Sequence, residues 1–141
     1  MASFTKFQPY VEYQFEGAMN LGSDTLKVML CNTAPVNTNG VKADLTEITA
    51  ENGYSAGGTQ ATTSSSAQTS GTYKLVLADV TFTASGGSIG PFRYAVLYDD
   101  TPTSPADPLI GFWDYGSSIT LATGESFTWD ADASTGVLQA S

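Results

Sequence analysis

The chain has 141 residues, of which 41% are hydrophobic and only 13% charged, against a usual charged share of about 25%. It is strongly acidic, with a formal net charge of −9, no histidine and one cysteine. These values argue against free nucleic acid or an anionic membrane as partner, since both need clustered Lys and Arg, and they exclude an internal disulfide. All five bases (Lys6, Lys27, Lys42, Lys74, Arg93) lie in the first two thirds, and residues 94–141 carry seven acids and no base. The length suits one domain with its own core, so residues 1–141 are read as a single β domain. The opening MASFTKFQ has no apolar run of signal-peptide length, and nothing later is long enough to span a bilayer. The expectation is synthesis in the cytoplasm and no membrane partner.

Residues 4–19 are ambiguous. Phe7, Val11, Phe15 and Ala18, with Phe4 upstream, follow helical spacing, with Pro9 suited to the first helical position and Gly17 to the stop. Val11, Tyr13 and Phe15 also alternate as a strand would. A short helix is the reading preferred.

From Leu26 the pattern turns to β. Leu26, Val28 and Leu30 alternate with Lys27, Met29 and Cys31, a well-buried strand in which Cys31 is a small buried hydrophobe. Asn32–Gly40 is turn chemistry, and Glu51–Gly58 is a loop anchored by Tyr54. Thr59–Thr72 is Thr-rich and alternating, and it precedes a Ser70–Gly71 turn, so it reads as the first arm of a hairpin. Tyr73–Ala84 changes parity near Ala78–Asp79, which suggests a β-bulge. Phe92–Tyr98 is the strongest central strand, with Phe92, Tyr94, Val96 and Tyr98 on one face. Asp99–Pro108 is an exposed loop with three prolines. Leu109–Tyr115, Ser118–Leu121, Ser126–Asp130 and Gly136–Gln139 follow as short strands. About eight short strands at this spacing predict a mainly β fold, an antiparallel sandwich or barrel-like domain. Val96, Leu97, Phe112 and Trp113 are expected in its core.

Chemistry is sparsely provided for. Without histidine the usual general base, the histidine-dependent triads and His-ligated metal sites are absent. The run Gly86–Pro91 lacks the lysine and the following helix of a phosphate cradle. Asp99–Asp100 and Asp130/Asp132 are read as turn acids, not as a pair held across a cleft. An ion on Asp130, Asp132 and Ser134 is conceivable, but the run lacks the ligand spacing of a Ca²⁺ loop. Trp113 and Trp129, with Phe112, Tyr115 and Phe127, are read as core, with an exposed sugar-stacking platform as the alternative. No enzyme activity and no cofactor are expected.

The phrases LKVMLCNTAPVNTN, LTEITAENGYSAGG, SGTYKLVLADVTFTASGGSIGPFRYAVLYDDT and PLIGFWDYGSSITLATGESFTWDADASTGVL resemble a group of small structural proteins of tailed bacteriophages, over about Phe4 to Leu138. The resemblance implies a virion protein, with a helical segment matching Phe7–Leu21 and no catalytic residue. It points to a capsid decoration or cement protein on the capsid exterior that binds major capsid subunits and forms a homo-oligomer, a trimer by analogy. The alternative is a tail, collar or fibre component contacting host glycans. Two contact regions are expected: the uncharged, proline-free stretch around Thr59, Thr63 and Ser65, and the N-terminal aromatics Phe4, Phe7 and Tyr10.

Overall fold

The structure, a computed structural model, describes residues 3–141. In chain order it comprises β1 (Ser3–Lys6), α1 (Pro9–Phe15), β2 (Leu26–Cys31), β3 (Thr59–Gln60), β4 (Thr63–Thr69), β5 (Thr72–Leu77), β6 (Val80–Thr83), β7 (Ile89–Asp99), β8 (Leu109–Leu121), β9 (Ser126–Trp129) and β10 (Leu138–Ala140). These strands make three antiparallel sheets. A five-stranded sheet has the order β1-β8-β7-β2-β3, a three-stranded sheet the order β10-β5-β4, and β6 pairs with β9. The fold is mainly β, a small sandwich with one short helix near the N-terminus, as expected.

The large sheet is buried on both faces, which explains the nearly continuous apolar runs of β2 and β7. One face, with Leu26, Val28, Leu30, Phe92, Ala95 and Leu97, packs against Leu75 and Leu77 of β5, Val80 and Phe82 of β6, and Trp129 of β9. The other gathers Phe7, Met29, Tyr94, Val96, Tyr98 and Phe112. Cys31 lies in this second cluster, and burial, followed by the nearby Glu47 charge, pushes its thiol up to about 12. Its side chain has no exposed surface.

Several expectations change in detail. The parity switch at Ala78–Asp79 is not a bulge: the chain leaves one sheet after β5 and enters another at β6. The Thr-rich arm divides in the same way, since β3 borders the large sheet and β4 the three-stranded one. The two crossings are tied together, with Ala78 N–H donating to Thr62 O at 2.8 Å and Ala61 N–H to Leu26 O at 2.9 Å. Conversely, the two segments expected over 109–121 are one strand. Gly116, at φ +86°, is a kink inside it whose N–H is held by Asp114 Oδ1 at 2.8 Å. With β1 added, the described residues form ten strands where eight were expected. On β7, Phe92 faces opposite to Tyr94, Val96 and Tyr98, because the register shifts between Phe92 and Tyr94. The Ser70–Gly71 turn is as expected: both residues take positive φ (52° and 85°), as a tight hairpin turn requires.

The helix exists, but its buried face is not the one the spacing predicts. β1 pairs with β8, and the chain then locks in place through Phe7 N–H to Ile110 O (3.1 Å) and Gln8 N–H to Asn37 O (2.8 Å). That entry angle turns Tyr10, Tyr13 and Gln14 toward the body and leaves Val11, Glu12, Phe15 and Glu16 outside. Tertiary anchoring of the first residues overrides the periodicity of a helix only seven residues long.

Candidate contact surface

The sequence names six contact candidates, and the structure separates them. Phe7 is completely buried, its ring 5.2 Å from that of Phe112. Tyr10 is also buried, with its hydroxyl donating to Gln14 Oε1 at 3.3 Å. Both belong to the protein's own core, so the expectation that they meet a partner is corrected. Phe4 is different: it is 41% exposed on the outer strand β1 and packs on Trp113, ring centres 4.7 Å apart.

Thr59 is exposed on β3, Thr63 half-buried on β4, and Ser65 exposed on β4. They do not form one patch, because they sit on the borders of two different sheets. What they share is position: each lies in a strand with a neighbour on one side only. In the β4–β5 hairpin, Thr69 and Thr72 are the closing pair of the turn. The next pair, Gln68 with Tyr73, is therefore a non-hydrogen-bonded one, and by alternation so is Ser66 with Leu75. The backbone N–H and C=O of Gln68 and Ser66 thus point away from β5, along an edge without charge or proline.

The edge of β2 beyond β3 is treated differently. Leu30 N–H is taken by the Tyr54 hydroxyl (2.9 Å), and Leu30 O by Ile48 N–H (3.1 Å). The loop over 46–58 therefore covers that stretch. Coverage there and openness at β4 make the latter stand out.

Of the four residues expected in the core, Val96, Leu97 and Phe112 are buried, and Trp113 is half-buried and packed against it. Its indole is set edge-on to that of buried Trp129, ring centres 5.0 Å apart. Phe4, Trp113 and Tyr115 line a groove of about 430 Å³ that also reaches Asp130 and Asp132. Asp132 uses its carboxylate locally, accepting from Ser134 N–H (2.8 Å), Thr135 N–H (3.0 Å) and the Thr135 hydroxyl (2.7 Å). Those bonds hold it below the usual carboxylate range. Among the described residues no three His, Cys, Asp or Glu side chains converge as a metal site.

Asp99 is not the solvated turn acid that the sequence suggests. It is completely buried at the end of β7, where Oδ1 accepts Thr101 N–H at 3.1 Å and Oδ2 faces no donor. Burial, then the neighbouring Asp24 carboxyl, push its carboxyl up to about 8. A proton-transfer group must meet its substrate, and a carboxyl with no exposed surface does not.

Phe15 and Val11 are the surface residues that sequence reasoning missed. They are 87% and 39% exposed on the outer face of α1. The signal was present, since Glu12 and Glu16 share that side of the helix, but the apolar spacing outweighed it.

Comparisons with protein-family models, with the curated proteins and with the solved structures found no match.

Proposed function

We propose that this chain is a structural protein of a tailed-bacteriophage particle, a capsid decoration protein that binds major capsid subunits from outside and strengthens the shell. One observation carries the reading: the uncharged segment 59–69 supplies an open border to two sheets at once, through β3 and β4. An unprotected strand edge is a template for pairing with another chain, and proteins that do not use such an edge block it with Lys, Pro or a cover. The sequence resemblance supports the same assignment. The work required is adhesion, not turnover. A contact of about 800 Å² per partner is enough for a stable interface, and repetition over a lattice multiplies its effect. The preferred assembly is a homotrimer at local three-fold positions, and no cofactor is needed.

The test uses particles assembled without this protein. Lysines at Ser65 and Ala67, both exposed on β4, would protect the edge while leaving the core alone. Loss of occupancy with an unchanged melting temperature supports the reading. Undiminished occupancy removes β4 as the contact, and failure of the unmodified protein to bind removes the decoration role.

A second reading, a tail or fibre component touching host glycans, rests on the Phe4–Trp113–Tyr115 groove. Aromatic faces beside carboxylates suit a sugar's C–H face and hydroxyls. Glycan-array binding lost in a Trp113→Ala variant would favour it over the capsid role.

A further inference from the structure

The large hydrophobic side chains exposed among the described residues are Phe4, Val11, Phe15 and Val36. Two of these stand one helical turn apart on α1. Val36 lies beside the start of the helix, in the loop whose Asn37 carbonyl accepts the Gln8 N–H. Phe4 is partly satisfied by Trp113, whereas Phe15 stands 87% in solvent. The same outer face carries Glu12 and Glu16, and neither takes part in an ion pair among the described residues. Glu16 occupies the C-terminal cap, and the last turn holds no base. A helix C-terminus carries partial negative charge and favours cations, so an acid there is locally unfavourable. Local rules broken together on one face mark a surface kept for something else.

We propose that the Val11–Phe15 ridge of α1 is a docking element for a different protein, one that presents an apolar socket bordered by Lys or Arg. The inference rests on the capsid-binding reading and names the contact and its chemistry. Charge selects the occupant. A second copy of this chain offers no basic rim: Lys27 is paired with Asp100 (3.0 Å), Lys42 with Glu47 (4.0 Å) and Arg93 with Asp114 (2.8 Å), while Lys74 donates to Ser134 O (2.8 Å). Among the described residues only Lys6 lies outside these contacts, so a second copy has little basic charge to set against Glu12 and Glu16. A basic partner gains from Glu12 and Glu16 and relieves the unfavourable helix end. Phe15 supplies the buried aromatic anchor on which such interfaces depend.

The experiment measures binding of purified protein to particles lacking it, across a salt series. Phe15→Ser touches no core contact and should leave the melting temperature unchanged while weakening binding about tenfold or more. A Glu12→Lys, Glu16→Lys double variant should also bind more weakly, and it should lose the salt sensitivity of the unmodified protein. Phe15→Ser binding within twofold of the unmodified protein overturns the proposal and leaves the decoration role standing. Salt-insensitive binding of the unmodified protein overturns the basic partner. Phe15-dependent oligomers of the isolated chain in sedimentation overturn it in favour of self-association. If the unmodified protein does not bind particles at all, the decoration role falls and this inference with it.

Discussion

The Tyr54 hydroxyl donates to Glu47 Oε2 at 2.6 Å while its oxygen accepts the Leu30 N–H at 2.9 Å, so one side chain fastens a long loop to the large sheet. The same carboxylate oxygen accepts Gly57 N–H at 2.7 Å, and Tyr98 donates to Gly57 O at 2.6 Å. Five residues, joined by four hydrogen bonds, therefore share one largely buried knot. Removing only the hydroxyl, by Tyr54→Phe, leaves the Leu30 N–H without a partner on β2. An orphaned buried donor costs about 1–3 kcal/mol. Urea denaturation should show a loss in that range, and a loss below about 0.5 kcal/mol would mean that water replaces the phenol.

The aromatic residues near the N-terminus should divide sharply in stability. Phe7 is buried against Phe112, so Phe7→Ala should cost about 3–5 kcal/mol. Phe15→Ser should change stability by less than about 0.5 kcal/mol, as exposed substitutions do. Thermal melts of the two variants decide the matter. Similar losses for both would place the helix with its other face inward.

Gly58 and Gly71 both take positive φ, 79° and 85°, but only Gly58 is crowded. A Cβ on Gly58 would collide with the Val28 carbonyl oxygen, whereas one on Gly71 meets open space. Gly71→Ala should therefore cost only the left-handed backbone penalty, about 1–2 kcal/mol. Gly58→Ala should cost clearly more, because β3 must move off β2. Equal effects in chemical denaturation would show that β3 can shift without loss.

The core strands were legible because burial on two faces writes itself into composition. Val28 to Cys31 and Tyr94 to Tyr98 leave little other choice. The hairpin at Ser70–Gly71 was legible from turn chemistry alone. What the sequence did not disclose was where a strand changes sheets. A crossing at Ala78–Asp79 and a bulge there produce the same parity switch, and only long-range bonds such as Ala78 N–H to Thr62 O distinguish them. The face of α1 was misread for a related reason. Its orientation is set by Phe7 and Gln8 bonding to distant residues, not by its own seven residues. Of the contact candidates, the strand residues kept their exposure or part of it, while Phe7 and Tyr10 did not, since an aromatic side chain near a terminus reads alike whether it caps the core or meets a partner.

Asp99 is expected to make stability fall as pH rises. Its folded carboxyl is raised to about 8, chiefly by burial, from an ordinary value near 3.8. Between these values the folded chain holds a proton that the unfolded chain has released, so folding binds a proton and loses stability as pH increases. The contribution is complete below about pH 4, declines across the window, and is gone above about pH 8. Asp107 is raised too, again mainly by burial, and acts in the same direction. Asp44, Asp114 and Asp132 are lowered by hydrogen bonds and act in the opposite direction, but only at more acidic pH. Urea denaturation at pH 5, 7 and 8.5 should therefore show a decline on the order of a few kcal/mol. Asp99→Asn keeps an acceptor for Thr101 N–H and carries an amide that can donate to Asp24. It should flatten the dependence and make the variant more stable than the unmodified protein at pH 8.5. Stability that rises from pH 5 to 8.5, or an Asn variant with an unchanged slope, would show that Asp99 is ionised in the folded protein.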